Sequence, residues 1–162
     1  MSNKSKHKQQ EALSRKNLLS EHAMEFVALI RDVVYINDSI SINVEKTWNT
    51  LNSVDGNVIL IIGGIDSKND YAALEELVTR KVKYIISLSS DSNRLMKAFL
   101  KTGREIAHAA TVQESVGLAM NVARAGDLVL FSPACPSYHP FDNYKNRGND
   151  FKRAVNALLQ AK

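Results

Sequence analysis

Val58-Ile59-Leu60-Ile61-Ile62-Gly63-Gly64 decides how the rest of the chain is read. Five apolar residues in succession show no polar–apolar alternation, so both faces of the segment need cover. That is the pattern of a strand inside a parallel sheet with helices packed on either side. Asp55-Gly56-Asn57 supplies a turn before the run, and the diglycine that ends it permits a positive φ or a close backbone approach.

The same alternation extends in both directions. Upstream, Ala23 to Arg31 mixes apolar and polar residues, Val33-Val34-Tyr35-Ile36 reads as a short strand, and Asn37-Asp38-Ser39 breaks the pattern. A helix is expected from about Asn43, with Val44, Trp48 and Leu51 at i, i+4 and i+7 forming one face. Downstream, Tyr71, Leu74, Leu77 and Val78 mark a helix and Lys83 to Leu88 a strand. Leu95, Met96, Phe99 and Leu100 mark the next helix, stopped at Gly103, and Glu105 to His108 a short strand. Thr111-x-x-Glu114 has the spacing of a capping box before Val116, Ala119, Met120 and Ala123, with Gly126 as the stop. Leu128 to Phe131 is a strand, and Phe151, Val155 and Leu158 give a last helix. Short strand–helix connections imply right-handed crossovers, hence an α/β fold: a mostly parallel sheet in three layers, helices on both faces.

Bulk properties narrow the class. At 162 residues the chain fits one domain, expected over 21–162, with the hydrophobic and charged content (44% and 23%) of a globular protein. No apolar run approaches the roughly 20 residues of a membrane span, and the first residues lack the apolar core of a secretory signal. A single cysteine excludes an internal disulfide framework and fits a reducing compartment, so a cytoplasmic protein is expected, without membrane association. The whole net charge of +4 sits in residues 1–20, where Lys4, Lys6, Lys8, Arg15 and Lys16 face only Glu11. Such a stretch reads as a disordered or linker tail. The charge-balanced body gives no reason to expect nucleic acid.

Two loops attract attention as sites. Gly63-Gly64-Ile65-Asp66-Ser67-Lys68-Asn69-Asp70 joins a buried strand to a helix, where an anion is favoured, with Asp70 placed to cap. It is neither a dinucleotide fingerprint nor a P-loop, and no such motif occurs anywhere in the chain. Ser132 to Gly148 leaves the C-terminal end of the last strand, where open α/β sheets place ligand-contacting groups. Its Ser132, Ser137, Asn143 and Arg147 can hold a carboxylate or phosphate, while Asn143 and Arg147 equally suit bracing the loop through its carbonyls. The four histidines are dispersed and make no metal site. Cys135 reads as a small buried hydrophobe. Ser137, His139 and Asp142 lack the G-x-S-x-G elbow of a hydrolase, so no catalytic residue is assigned.

The wording Ser132-Pro133-Ala134-Cys135-Pro136-Ser137 through Asn143 to Arg147-Gly148 resembles the SPACxSxDxFxNxxxRG segment of the D-glutamate-adding Mur ligases. Three further segments carry the likeness. His22 to Val27 is similar to the H-R-x-E-x-V that opens the family's third domain, Tyr35 to Val44 to its N-D-S-K-A-T-N-V segment, and Ile61 to Tyr71 to its strand, diglycine and loop. The resemblance runs from about His22 to the C-terminus. It implies a Rossmann-like third domain of an ATP- and magnesium-dependent amide ligase of peptidoglycan synthesis, whose first two domains bind the UDP-sugar and the ATP.

The resemblance also implies roles for particular residues. Asp38 stands where the family's aspartate faces the nucleotide. Ser137, its neighbour Tyr138, Tyr144, and Ser67 with Lys68 stand where the incoming glutamate is held. The departures are chemical. Ile40 and Ile42 replace the lysine and threonine of N-D-S-K-A-T-N, Ala23 replaces the arginine of H-R-x-E, and His139 and Asp142 replace an aspartate and a lysine. Without a P-loop the chain alone cannot make an acyl phosphate, and no cofactor is expected on it. The expectation is a truncated or split ligase domain completed by a second chain, with D-glutamate binding weakened or lost. A non-catalytic binding module on the same fold is the alternative.

Overall fold

The computed structural model describes residues 21–64, 69–89, 92–137 and 143–161. The N-terminal basic stretch, Ser67, Lys68, Tyr138, His139 and Asp142 lie outside the described residues.

Six strands form one sheet in the order β1-β2-β6-β3-β4-β5. They are β1 (Glu25–Ile30), β2 (Val33–Asn37), β3 (Val58–Ile62), β4 (Val82–Ser87), β5 (Glu105–His108) and β6 (Leu128–Phe131). All neighbours are parallel except β1, which runs antiparallel along β2. The helices are α1 (Val44–Ser53), α2 (Glu75–Lys81), α3 (Ser92–Phe99), α4 (Val112–Val122) and α5 (Tyr144–Gln160), with 3-10 turns at Tyr71–Leu74 and Leu100–Thr102.

β3 behaves as its sequence requires. Leu60 and Ile62 enter one core with Leu51, Tyr71, Leu74 and Phe99, while Ile59 and Ile61 enter the other with Val116, Phe131, Phe151 and Val155. All five β3 side chains are fully buried. At about 1.5–3 kcal/mol per buried large apolar side chain, this strand is the fold's largest local source of stability.

One segment left unassigned takes a definite form and two local readings are corrected. Residues 25–30 are a strand, joined to β2 by a two-residue turn in which Arg31 and Asp32 both take positive φ (51° and 60°). Such turns favour Gly and Asn, neither of which is present to signal it. In α1 Trp48 is exposed, and the buried face is Thr47, Thr50 and Leu51. The last helix starts at Tyr144, so Arg147 and Gly148 belong to it and Asn143 is its N-cap, accepting from the Asn146 amide at 3.1 Å. The expected capping box is also altered. Thr111 Oγ1 accepts from the Glu114 amide, but Glu114 reaches back to the Ala110 amide (2.7 Å), one residue earlier.

Candidate functional site

At the C-terminal edge of the parallel strands the loops after β2, β3, β4 and β6 are tied to one another. Gly63, at φ 102°, donates its amide to Pro133 O (2.8 Å), and a Cβ there would sit 3.0 Å from the Ser89 amide nitrogen. Asn69 Nδ2 donates to Ala134 O (2.7 Å), and Ser89 Oγ to Gly64 O (3.1 Å). Cys135 is buried with Sγ 3.1 Å from the Tyr71 hydroxyl.

Asp38 is the hub of this edge and is 2% exposed. Its Oδ2 accepts from Ser41 Oγ (2.5 Å), Thr50 Oγ1 (2.7 Å) and Ser132 Oγ (2.8 Å), and its Oδ1 from the Met24 amide (3.1 Å). Thr47 Oγ1 lies 2.9 Å from Ser132 Oγ, which extends the network into α1. Burial pushes the Asp38 carboxyl above its ordinary range, and the three hydroxyls and the Met24 amide pull it partly back. Asp38 therefore lies beneath the surface with both oxygens engaged, rather than as an open group at the rim.

A second cluster sits beside it. Asn37 Nδ2 donates to Glu25 Oε2 (2.9 Å) and to His22 Nδ1 (2.9 Å), while Asn37 Oδ1 accepts from the Ser39 amide. With Nδ1 accepting, the His22 proton is on Nε2. Burial, then Lys152, holds the His22 ring below its ordinary pKa. Tyr144 meets His22 edge-on, ring centres 6.0 Å apart. Arg147 donates from Nη2 to Ser39 O (3.1 Å) and from Nη1 to Pro136 O (3.2 Å). It is 4% exposed, and burial brings its pKa down to about 10. Of the two bracing candidates, Arg147 braces the loop and Asn143 caps the helix.

Ser137 follows directly on Pro136. Its hydroxyl is buried without a hydrogen-bond partner, as are Ser39 Oγ and Arg147 Nε. Ile40 is half-buried, and Ile42 is 36% exposed on the rim. Thus Asp38, Ser137 and Tyr144 are drawn to one edge of the sheet. The residues that sequence reasoning missed are Ser41, Thr47, Thr50 and Asn37. Their signal was hydroxyls at helical spacing (Thr47, Thr50) facing a strand-end aspartate. Magnesium does not fit here: the Asp38 oxygens are taken by protein donors, and the described residues hold no group of three or more His, Cys, Asp or Glu able to ligate a metal.

The glutamate ligase domain profile of the Mur ligases matches residues 24–135, most of the described body. The chain belongs to the Mur ligase family. Over 134 residues it is 45% identical to the UDP-N-acetylmuramoylalanine–D-glutamate ligase of Porphyromonas gingivalis and 40% identical to that of Cytophaga hutchinsonii. Each alignment covers 83% of this chain and 30% of the relative, so the chain spans less than a third of the length of these ligases. Among solved structures, a murein peptide ligase from Psychrobacter arcticus superposes with a TM-score of 0.55 at 15% identity, over 87% of this chain and 30% of that one. A UDP-N-acetylmuramate–alanine ligase from Thermotoga maritima gives 0.56 at 12%, over 88% and 31%. These two likenesses establish the fold, and the sequence matches place the chain in the C-terminal domain of the ligases. Among the described residues no helix is long and apolar enough to cross a membrane.

Proposed function

We propose that the chain supplies the amino-acid-holding part of a cytoplasmic UDP-N-acetylmuramoylalanine–D-glutamate ligase, with weakened affinity for D-glutamate. The parts that bind ATP, magnesium and the UDP-sugar then come from sequence outside these 162 residues, in the split form from a second chain. Those parts activate the carboxylate as an acyl phosphate. This chain's task is to hold the amino acid so that its amine reaches the acyl carbon and phosphate departs. Orienting the second reactant in this way is worth several kcal/mol of barrier.

The observation that carries the reading is the joined pair of loops after β2 and β6, which ends in the buried, unpartnered Ser137 hydroxyl. The substitutions at Ile40 and Ile42 support the weakened affinity. Two charge-assisted hydrogen bonds at about 1.5–3 kcal/mol each are unavailable to a carboxylate there, a loss of tenfold or more. The same two isoleucines favour a second reading, in which the fold serves as a binding module without ligase chemistry.

The test is reconstitution. The chain is mixed with a protein carrying the first two ligase domains, together with ATP, magnesium, UDP-N-acetylmuramoyl-L-alanine and D-glutamate, and phosphate release and product are followed. Glutamate-dependent turnover with a raised KM supports the ligase reading. No turnover from the folded chain, beside an active complete ligase, supports the binding module.

A further inference from the structure

We propose that Arg147 is the positioning residue of the amino-acid site, fixing where the Ser137 hydroxyl stands. The inference rests on the ligase reading for its ligand, but its geometry stands apart from it.

Three carbonyls of the loop after β6 are each held by a donor from elsewhere: Pro133 O by the Gly63 amide, Ala134 O by Asn69 Nδ2 and Pro136 O by Arg147 Nη1. The first two fix the loop against the segment after β3. The third is the described tie nearest Ser137, and it comes from a guanidinium that also holds Ser39 O of the loop after β2. One rigid planar group therefore ties the two loops a second time, farther along than the Ser132–Asp38 hydrogen bond. Lysine would bring the charge without the fork, as a single point donor.

The cation is also unusual for its burial. At 4% exposure Arg147 has no carboxylate in hydrogen-bond or ion-pair contact among the described residues, although buried charges are ordinarily paired. Carbonyl bracing alone does not require a full positive charge in a desolvated position. A positive potential beside the Pro136–Ser137 peptide favours an anionic ligand, which fits the carboxylate of an amino acid. Gly148 lets this turn of α5 approach, because a Cβ there would overlap Ser39 Oγ and His22 Nδ1.

Two measurements test the claim in Arg147→Met and Arg147→Lys chains. The first is the amide chemical shifts of Ile40 and Ser137, which belong to the two peptide groups whose carbonyls Arg147 holds, with hydrogen exchange at Ile40, whose amide donates to His22 O; it needs no turnover. Both amides are expected to shift, and Ile40 to exchange at least tenfold faster, in Arg147→Met, with β3 and β6 amides unchanged. Wild-type behaviour at Ile40 and Ser137 in the folded variant overturns the proposal, whatever the ligase assay gives. The second, in the reconstituted enzyme, is KM for D-glutamate against KM for ATP. The expected result is a rise of tenfold or more for D-glutamate alone, only partly restored by lysine. Equal rises in both constants, or a fall in kcat alone, mean a merely structural role and overturn it. Absence of turnover from the wild-type chain counts against the ligase reading, and the exchange measurement then decides the positioning claim by itself.

Discussion

The two ends of the parallel sheet serve their buried carboxylates in opposite ways. At the N-terminal end, the buried acid Asp127 is matched by a cation. Lys83 Nζ donates to Asp127 Oδ2 at 2.5 Å, that oxygen also accepts from the Arg124 amide, and Lys81 Nζ donates to three carbonyls at the end of α1. At the C-terminal end, Asp38 is held by hydroxyls and an amide and Arg147 by carbonyls, neither with an oppositely charged side chain in hydrogen-bond or ion-pair contact among the described residues. Asp38, in the loop after β2, and Arg147, in the first turn of α5, are both buried, each served by neutral dipoles. The first end is built for closure. The second carries a cost in desolvation that a purely structural edge has no need to bear.

The sharpest way to break this contrast is Asp38→Ala. It leaves Ser41, Thr50, Ser132 and the Met24 amide without their acceptor inside the protein, and the expected loss is about 4 kcal/mol by urea denaturation. The pH dependence carries its own sign. Because burial raises the folded carboxyl above its ordinary 3.8, the folded state takes up the proton more readily than the unfolded chain. This group's contribution is therefore fully present below 3.8 and is lost as pH rises through the raised folded value. Asp38→Asn should remove that component, so that wild type minus variant stability grows as pH falls. A difference that is flat with pH would mean that the hydroxyls cancel the burial.

Next in size is Gly148→Ala. The added methyl overlaps Ser39 Oγ and His22 Nδ1, both on buried side chains, so α5 must move away from the loop after β2. The expected cost is about 2 kcal/mol, against the small gain that alanine brings to an open helix position. Thermal melts read it directly, and a stabilised variant would show that the two loops are not held as tightly as the contacts imply.

How much of this was legible in sequence follows from what each segment presents. β3 and β6 fall on the residues expected from apolar runs, because a covered strand has no other way to be written. β1 was not visible, since its turn uses Arg31 and Asp32 instead of glycine or asparagine. The early start of α5 was hidden inside a Pro-rich stretch that reads as loop, although Asn143 is an ordinary N-cap. Trp48 misled because size suggests burial. The helix instead turns Thr47 and Thr50 inward, where their hydroxyls answer Ser132 and Asp38. Buried hydroxyl networks of this kind look like surface to any hydrophobic pattern. The loop of Ser137 was legible from family wording, but the division of labour between Asn143 and Arg147 required geometry.

The smallest effect belongs to the matched end, and it completes the comparison. Lys83 is 33% exposed and Asp127 7%, so their pair is partly screened by water. In Lys83→Met the Asp127 carboxylate keeps the Arg124 amide as a donor, and the methionine stem keeps most of the packing along the sheet edge. The expected loss is about 1 kcal/mol, and it should shrink as salt is raised in the melt. A loss as large as that of Asp38→Ala would mean that the N-terminal end depends on its charges as heavily as the C-terminal end does. A small, salt-sensitive loss leaves the buried, neutrally served charges at the other end as the feature that sets this domain's two faces apart.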